Sequence, residues 1–233
     1  ISYTRNFSQQ TEVGVSRGWE SIALPFTVQD IMHESKGRIV PFGSQGTGVK
    51  YFWLRGYSPN GLHSATTLEA YKPYVISLPN NTMIYPDAYN LNGHVTFSAE
   101  NTTVPATPDP YDMIVTRGDI TMIPVFQSVE QNEGVYAINV GQALDRYAEG
   151  SVFARGLRGV RPFEAITVHE AINGARPKYI RIAAQSNNES VGIKDIEHST
   201  MNNEQWYSVD GRQLQGEPKT KGVYIQKGKK IIK

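Results

Sequence analysis

Short extended runs separated by turn residues constrain the fold of this chain more than any other feature. The 233 residues include 21 Gly and 13 Pro. Between these residues lie runs rich in β-branched and aromatic side chains, and helical periodicity is nearly absent. Short strands bounded by turn signals are typical of sandwiches and jelly rolls. The sequence therefore predicts an all-β protein with an antiparallel β-sandwich or jelly-roll-like body.

The element boundaries can be read from the same pattern. Strands are expected at 20–28, 49–57, 74–78, 95–99, 113–116, 120–129, 134–140, 151–154, 164–168 and 178–184. Short helices are expected at 28–34, 66–71 and 142–148. The segment 101–110 holds Pro105, Pro108 and Pro110, so it is expected to be a surface loop.

The final segment, 206–233, has a pattern of its own. Asp210-Gly211 and Lys227-Gly228 each lie between two extended runs, and such pairs favour two-residue hairpin turns because Gly accepts a positive φ. The polar run 185–190 precedes this segment. We therefore expect two modules, a β-sandwich body over 1–184 and a small C-terminal β module over 191–233.

The tail resembles the C-terminal segment of secreted and surface proteins of Bacteroidetes bacteria. The matching residues are Tyr207, Gly211, Arg212, Lys221, Gly222, Tyr224, Gly228, Lys229 and Lys233. In that family the segment is associated with export by the type IX route or with display on the cell surface. The resemblance implies an exported protein, at the cell surface or outer membrane or outside the cell, with the secretion machinery as a partner. A plain terminal hairpin, whose lysines guard an edge against aggregation, is the alternative.

Four phrases in the body resemble a recurrent module of Bacteroidales surface proteins, which often ends leucine-rich-repeat or other cell-surface chains. These phrases are 3–5, 19–26, 72–76 and 160–165. The resemblance implies a location and attaches no activity. Because the chain starts at Ile1 and shows no signal peptide, we expect a mature or trimmed piece of a longer precursor.

Composition narrows the partners. A net charge of +1, from 23 basic and 22 acidic residues, gives little attraction for phosphates, so no nucleic-acid partner is expected. Absence of Cys removes thiolate metal sites and cysteine nucleophiles. No apolar run is long enough for a membrane helix. The sequence thus predicts no cofactor and no membrane span.

Motifs for catalysis and metal binding are not evident. The five histidines are scattered, Asp109, Asp112 and Asp119 match no calcium loop, and no Gly-x-Ser-x-Gly is present. We therefore predict no catalytic residue and no metal site. A glycosidase-like enzyme stays as a remote alternative, since it needs two facing carboxylates. Its candidates are Glu20, Glu100, Glu164 and Glu170.

Binding is better supported by the sequence. Tyr51, Trp53, Arg55 and Tyr57 alternate along one face of a predicted strand. Aromatic rings beside polar groups suit sugars, because a ring stacks on the apolar face of a pyranose. The competing interpretation is that these rings pack between two sheets. We expect a non-catalytic surface module, structural or adhesive, whose partners are surface glycans or host proteins; a carbohydrate-binding module is the alternative.

Overall fold

The structure is a computed structural model that describes residues 1–9, 11, 17–80, 90–170, 176–182, 193–195, 206–208, 213–214, 218–220, 223–226 and 229–232. Its chain divides into two compact units, Ile1–Asp195 and Ile196–Lys233. The sequence placed this boundary at 185–190. It lies further along the chain because Ile193–Asp195 pairs with the strand Tyr179–Ile182 of the first unit.

Strands dominate the described residues, and the predicted all-β class is confirmed. The first eight strands are β1 Ser2–Phe7, β2 Glu20–Ile22, β3 Asp30–His33, β4 Gly37–Pro41, β5 Lys50–Ser58, β6 Gly61–Ser64, β7 Tyr74–Ser77 and β8 Gly93–Ser98. After the short helix α1 come β9 Val115–Arg117, β10 Ile120–Val125, β11 Tyr136–Ile138, β12 Val152–Arg155, β13 Glu164–His169, β14 Tyr179–Ile182 and β15 Ile193–Asp195. Helix α1 spans Pro110–Met113, and the tail strands are β16 Trp206–Ser208, β17 Gln213–Leu214, β18 Val223–Gln226 and β19 Lys229–Ile232.

Two curled sheets make up the first unit. One has the order β1-β8-β3-β4-β5-β7-β2, with β6 paired to β5, and the other has the order β15-β14-β12-β11-β13-β10-β9. The β4–β5 pair is parallel, and the other described ladders are antiparallel. Tight turns join β3 to β4, β5 to β6 and β9 to β10, whereas longer segments join the other consecutive strands of this unit.

The first sheet curls around an apolar interior. Phe7, Ile22, Leu24, Phe52 and Phe97 belong to this core and are nearly inaccessible to solvent. A second core lies where the other face of this sheet meets the second sheet. It combines residues of the N-terminal half with residues of the second sheet: Trp19, Tyr57, Leu62 and Val75 with Ile120, Met122, Tyr136, Ile138, Phe153, Ala165, Ile180 and Ile182.

Strand β7 is buried on both faces as a result. Tyr74 and Ile76 lie in the first core, whereas Val75 between them lies in the second. Successive side chains of a strand point to opposite faces, so one strand serves both cores. Strand β5 likewise serves both cores, because Phe52 and Leu54 lie in the first and Tyr57 lies in the second.

Strands β1 and β2, at the two ends of the first sheet, are joined through a side chain. Arg5 of β1 donates from Nη1 to the backbone oxygen of Ser21, at 2.7 Å, and from Nη2 to Oε2 of Glu20, at 2.6 Å. The second sheet also holds β2, because the backbone N of Ala23 donates to the backbone oxygen of Phe163 at 3.0 Å. The seam between β1 and β2 is therefore a charged contact rather than a ladder.

The tail forms a separate four-stranded antiparallel sheet with the order β17-β16-β18-β19. Gln226 of β18 pairs with Lys229 of β19, and Tyr207 of β16 pairs with Gln213 of β17. The predicted turn residues Asp210-Gly211 and Lys227-Gly228 lie outside the described residues.

The three predicted helices are wrong. Residues 28–34 contain β3, 66–71 form turns and irregular structure, and 142–148 form turns with the bridge between Leu144 and Tyr147. Seven-residue windows carry too little periodicity to separate a helix from an irregular segment. The expected surface loop at 101–110 is confirmed, since its residues are almost all exposed and α1 begins only at Pro110.

Candidate functional site

The aromatic face of β5 enters the core along its length. Tyr51 and Trp53 are half-buried, whereas Arg55 and Tyr57 are buried. Tyr57 lies in the core between the two sheets and donates its hydroxyl to the backbone oxygen of Ile120 at 3.3 Å. For Arg55 and Tyr57, the ligand-binding interpretation therefore does not fit, and packing between the sheets explains them.

Arg55 is a buried cation between the sheets. It is 3% exposed, and its guanidinium carbon lies 4.8 Å from the centre of the Trp19 ring. Burial lowers the pKa of Arg55 to about 10. Because that pKa remains well above neutral pH, Arg55 keeps its charge and contributes a cation–π contact to the core.

Tyr51 and Trp53 share a face at the other end of β5, and a third ring joins them. The backbone N of Phe42 donates to the oxygen of Phe52 at 2.8 Å, which extends the parallel β4–β5 pairing by one residue. Phe42 therefore lies beside the residues that flank Phe52. Its ring is stacked on Tyr51 at 5.6 Å and tilted against Trp53 at 5.2 Å. We call Phe42, Tyr51 and Trp53 the aromatic platform.

The platform is only partly withdrawn from solvent. Phe42 is 39% exposed, an unusual value for a large apolar ring that packs on two others. The Tyr51 hydroxyl donates to the backbone oxygen of Gly46 at 3.1 Å, which ties the Gly-rich loop to the ring. Sequence reasoning missed Phe42, because its neighbours come from a parallel pairing that no local pattern announces.

A second site lies at the seam between β1 and β2. It is a cavity of about 650 Å³, which we call the charged cleft. Its charged lining residues are three arginines and two glutamates, with a net charge of +1: Arg5, Arg158, Arg161, Glu20 and Glu164. Three of the sequence phrases singled out above, 3–5, 19–26 and 160–165, meet in this cleft, although nothing in their spacing predicts it.

Two ion pairs form the floor of the charged cleft. Arg5 contacts Glu20 at 2.6 Å, and Arg158 contacts Glu164 at 2.8 Å. Arg158 also donates from Nε to the oxygen of Ile138 at 3.2 Å and from Nη1 to the oxygen of Gly159 at 3.0 Å. The guanidinium plane of Arg158 is thus fixed by backbone and carboxylate together.

Burial sets the electrostatics of Glu20. Desolvation raises the pKa of the Glu20 carboxyl, Arg5 opposes that rise, and the nearby charge of Glu164 adds to it. Tyr3, which also lines the cleft, has a pKa raised chiefly by burial, so its hydroxyl stays protonated at neutral pH. The ring of Tyr3 packs on Phe163 with 4.9 Å between ring centres.

The carboxylates named for a glycosidase separate into two groups. Glu20 and Glu164 meet in the charged cleft, whereas Glu100 and Glu170 lie outside it. Each carboxylate of the cleft accepts from an arginine. General acid catalysis needs one carboxyl that holds a proton near neutral pH, and an ion pair with Arg favours the ionised form. Burial acts against the ion pair and raises the pKa of Glu20, so the glycosidase alternative stays a prediction.

The remaining predicted residues are placed as follows. Tyr224 lies in β18 and Lys229 in β19. Gly211, Arg212, Lys221, Gly222, Gly228 and Lys233 lie outside the described residues. Among the described residues, no group of three His, Asp or Glu side chains could hold a metal ion. Asp109 caps α1 through its contact with the backbone N of Tyr111 at 2.9 Å, and Asp119 lies 2.9 Å from Nε2 of His169.

None of the helices in the described part of the chain is long and apolar enough to cross a membrane. Comparisons of the chain with protein-family models, with curated proteins and with solved structures find no match.

Proposed function

We propose that this chain is a non-catalytic, exported surface module of a Bacteroidetes bacterium with an adhesive role, and that its aromatic platform binds glycans. The observation that supports this role is the group of three adjacent rings at the open end of β5, with Phe42 39% exposed. A contiguous apolar surface that stays in contact with solvent often marks a binding site, whereas single exposed apolar residues are common.

Sugars suit this surface in chemical terms. A pyranose presents C–H groups on one face, and these pack against an aromatic ring with a large buried area for few rotatable bonds. Hydroxyls of the sugar would meet polar groups at the edge of the platform. The Gly-rich loop next to Tyr51 supplies exposed backbone and the exposed side chains of Gln45 and Thr47 there.

Glycan-array screening tests the binding role, followed by titration of any glycan that binds. We expect Phe42→Ala and Tyr51→Ala to weaken binding about tenfold each, because each removes one stacking surface. Tyr111→Ala is the matched control, since Tyr111 is 82% exposed and lies outside the platform. A chain that binds no host or plant polysaccharide, or a control as damaging as Tyr51→Ala, would contradict the glycan role.

Export rests on the resemblance of the tail, and it needs a separate experiment. We expect a fusion of 191–233 to a periplasmic reporter to reach the surface or medium in a bacterium with the type IX machinery. Deletion of 228–233 from the fusion should retain the reporter in the periplasm. If the intact fusion stays in the periplasm, the tail is a structural cap and not an export signal.

A structural role, in which the module spaces or displays other domains, is the second candidate. Burial of Arg55 and Tyr57 favours it, because half of the aromatic face of β5 is engaged in the core between the sheets. The two roles differ in one observable: a purely structural module tolerates Phe42→Ala and Tyr51→Ala without loss of any binding.

A further inference from the structure

The charged cleft lies apart from the aromatic platform and has the features of a ligand site. Its volume of about 650 Å³ falls within the range of pockets that hold small ligands. Most of its lining residues are polar or charged, and they include Thr4, Asn6 and Ser8. Such a lining favours a polar ligand over an apolar one.

The internal ion pairs decide which sign of charge the cleft accepts. Both carboxylates already accept from arginines, at 2.6 Å for Glu20 and 2.8 Å for Glu164. A ligand cation would compete with Arg5 or Arg158 for these carboxylates, and separating a buried pair is costly. Each carboxylate of the floor is thus already paired with an arginine, so the cleft does not favour a ligand cation.

Arg161 is the charge that remains. It lines the cleft and is exposed, and no hydrogen bond or ion pair joins its side chain to another described residue. The net charge of +1 in the cleft corresponds to this side chain. Arg5 adds further N–H groups, because its two hydrogen bonds to Ser21 and Glu20 leave part of its guanidinium unused among the described residues.

Tyr3 completes a set of donors at the same place. Its hydroxyl stays protonated at neutral pH, and the positive charge of Arg161 acts on it across the cleft. A guanidinium matches the two oxygens of a carboxylate or sulfate in a forked geometry, and a phenol can donate to the same group. We propose that the charged cleft binds a small ligand through a carboxylate or sulfate group, held by Arg161 with Tyr3 and Arg5 beside it.

This site is independent of the platform, and its test uses small probes. Titration calorimetry of the whole chain with sodium galacturonate, sodium sulfate and galactose, at constant ionic strength, measures the site directly. We expect binding of galacturonate or sulfate that Tyr51→Ala leaves unchanged, whereas any binding of galactose should be lost in Tyr51→Ala, because it would belong to the platform. Binding of galacturonate alone identifies an acidic sugar, binding of sulfate alone a sulfate group, and binding of both a general anion site.

Variants locate the binding. Arg161→Gln should weaken anion affinity about tenfold or more, since a hydrogen bond to a charged group is lost, and Arg161→Lys should keep part of the affinity. Arg181→Gln is the matched control, because Arg181 is an exposed arginine outside the cleft. Tyr51→Ala should leave anion binding unchanged, which separates this site from the platform.

Two results would overturn the proposal. One is a wild-type chain that binds neither galacturonate nor sulfate. The other is an Arg181→Gln variant that weakens binding as much as Arg161→Gln, because the attraction would then come from the overall charge of the protein. Thermal unfolding of each variant confirms that affinity is compared between folded proteins.

Discussion

The first sheet meets the second sheet in two chemically opposite ways, and consecutive residues belong to each. Trp19 is fully buried in the apolar core between the sheets, whereas Glu20 lies in the charged cleft and bonds Arg5. The apolar contact is close-packed around large side chains. The charged contact leaves a cavity of about 650 Å³.

The apolar core and the charged cleft contribute differently to the stability of the protein. Apolar burial stabilises in proportion to the area that leaves water, so the core around Trp19 holds the two sheets together. An ion pair in a partly open cleft contributes less, because desolvation offsets the attraction of its charges. The protein therefore places its binding chemistry where loss of packing costs least.

Loss of the Trp19 side chain is expected to have the largest effect. Trp19→Ala removes the largest side chain that is fully buried among the described residues, which is also the ring beneath the Arg55 guanidinium. We expect the free energy of unfolding to fall by about 3–5 kcal/mol, measured by urea denaturation. Tyr111→Ala should change it by less than about 0.5 kcal/mol. If the free energy of unfolding falls by a similar amount in both variants, the apolar core around Trp19 does not hold the two sheets together.

Breaking the seam should cost less. Arg5→Met leaves Glu20 as an unpaired charge, and the side chains of this pair are only 13% and 5% exposed. We expect a loss of about 2–3 kcal/mol in the same measurement. The control is Arg38→Met, whose partner Asp30 is exposed, and it should cost less than about 1 kcal/mol. If the two variants are equally stable, Arg5 does not hold the seam.

A glycine beside Trp19 provides a third comparison. Gly150 has φ +63°, and an added Cβ would lie 2.6 Å from the backbone N of Trp19. Gly118 has φ +59° with open space around it. We expect Gly118→Ala to cost about 1 kcal/mol from backbone strain alone and Gly150→Ala at least about 2 kcal/mol, because the main chain must also move. Equal melting temperatures would show that the two segments are not closely packed.

The pH dependence of Glu20 should be the smallest effect. Its pKa is higher in the folded protein than in the unfolded chain, chiefly through burial. The folded state therefore binds more protons near that pKa, and stability from this group rises as pH falls through it towards the unfolded value. Glu20→Gln cannot titrate. We expect the free energy of unfolding of the wild type, relative to that of Glu20→Gln, to increase as the pH is lowered from 7 to 4. A decrease would show that the pKa of Glu20 is lowered, not raised, in the folded protein.

Sequence patterns predicted the fold class and most strands of the second sheet, because alternation and turn residues act locally. They missed β1, β3, β4, β6 and β15. Strands β1 and β3 both pair with β8, which is distant in the chain, and β4, β6 and β15 have only three to five residues each. Strand β3, for example, is fixed by pairing with β8, more than sixty residues away along the chain. Local periodicity instead favoured a helix in this region.

Local sequence patterns were also insufficient to predict the aromatic platform and the charged cleft. Tyr51 and Trp53 were found from their alternation along one strand, but the burial of Arg55 and Tyr57 depends on the second sheet. Glu20 and Glu164 were among four candidate carboxylates, and only the folded chain brings these two together. No spacing rule joins residues 144 positions apart.

The seam closed by Arg5 has a consequence for the proposed display of this protein at a cell surface, where many copies would lie side by side. The open edges of a sheet invite strands of neighbouring molecules to add to them, which is how many β proteins aggregate. Here a guanidinium occupies the backbone oxygen of Ser21, and the loop before β13 covers Ala23, so β2 has little room for a visiting strand. Copies crowded side by side would thus remain separate folded units instead of merging into a fibre.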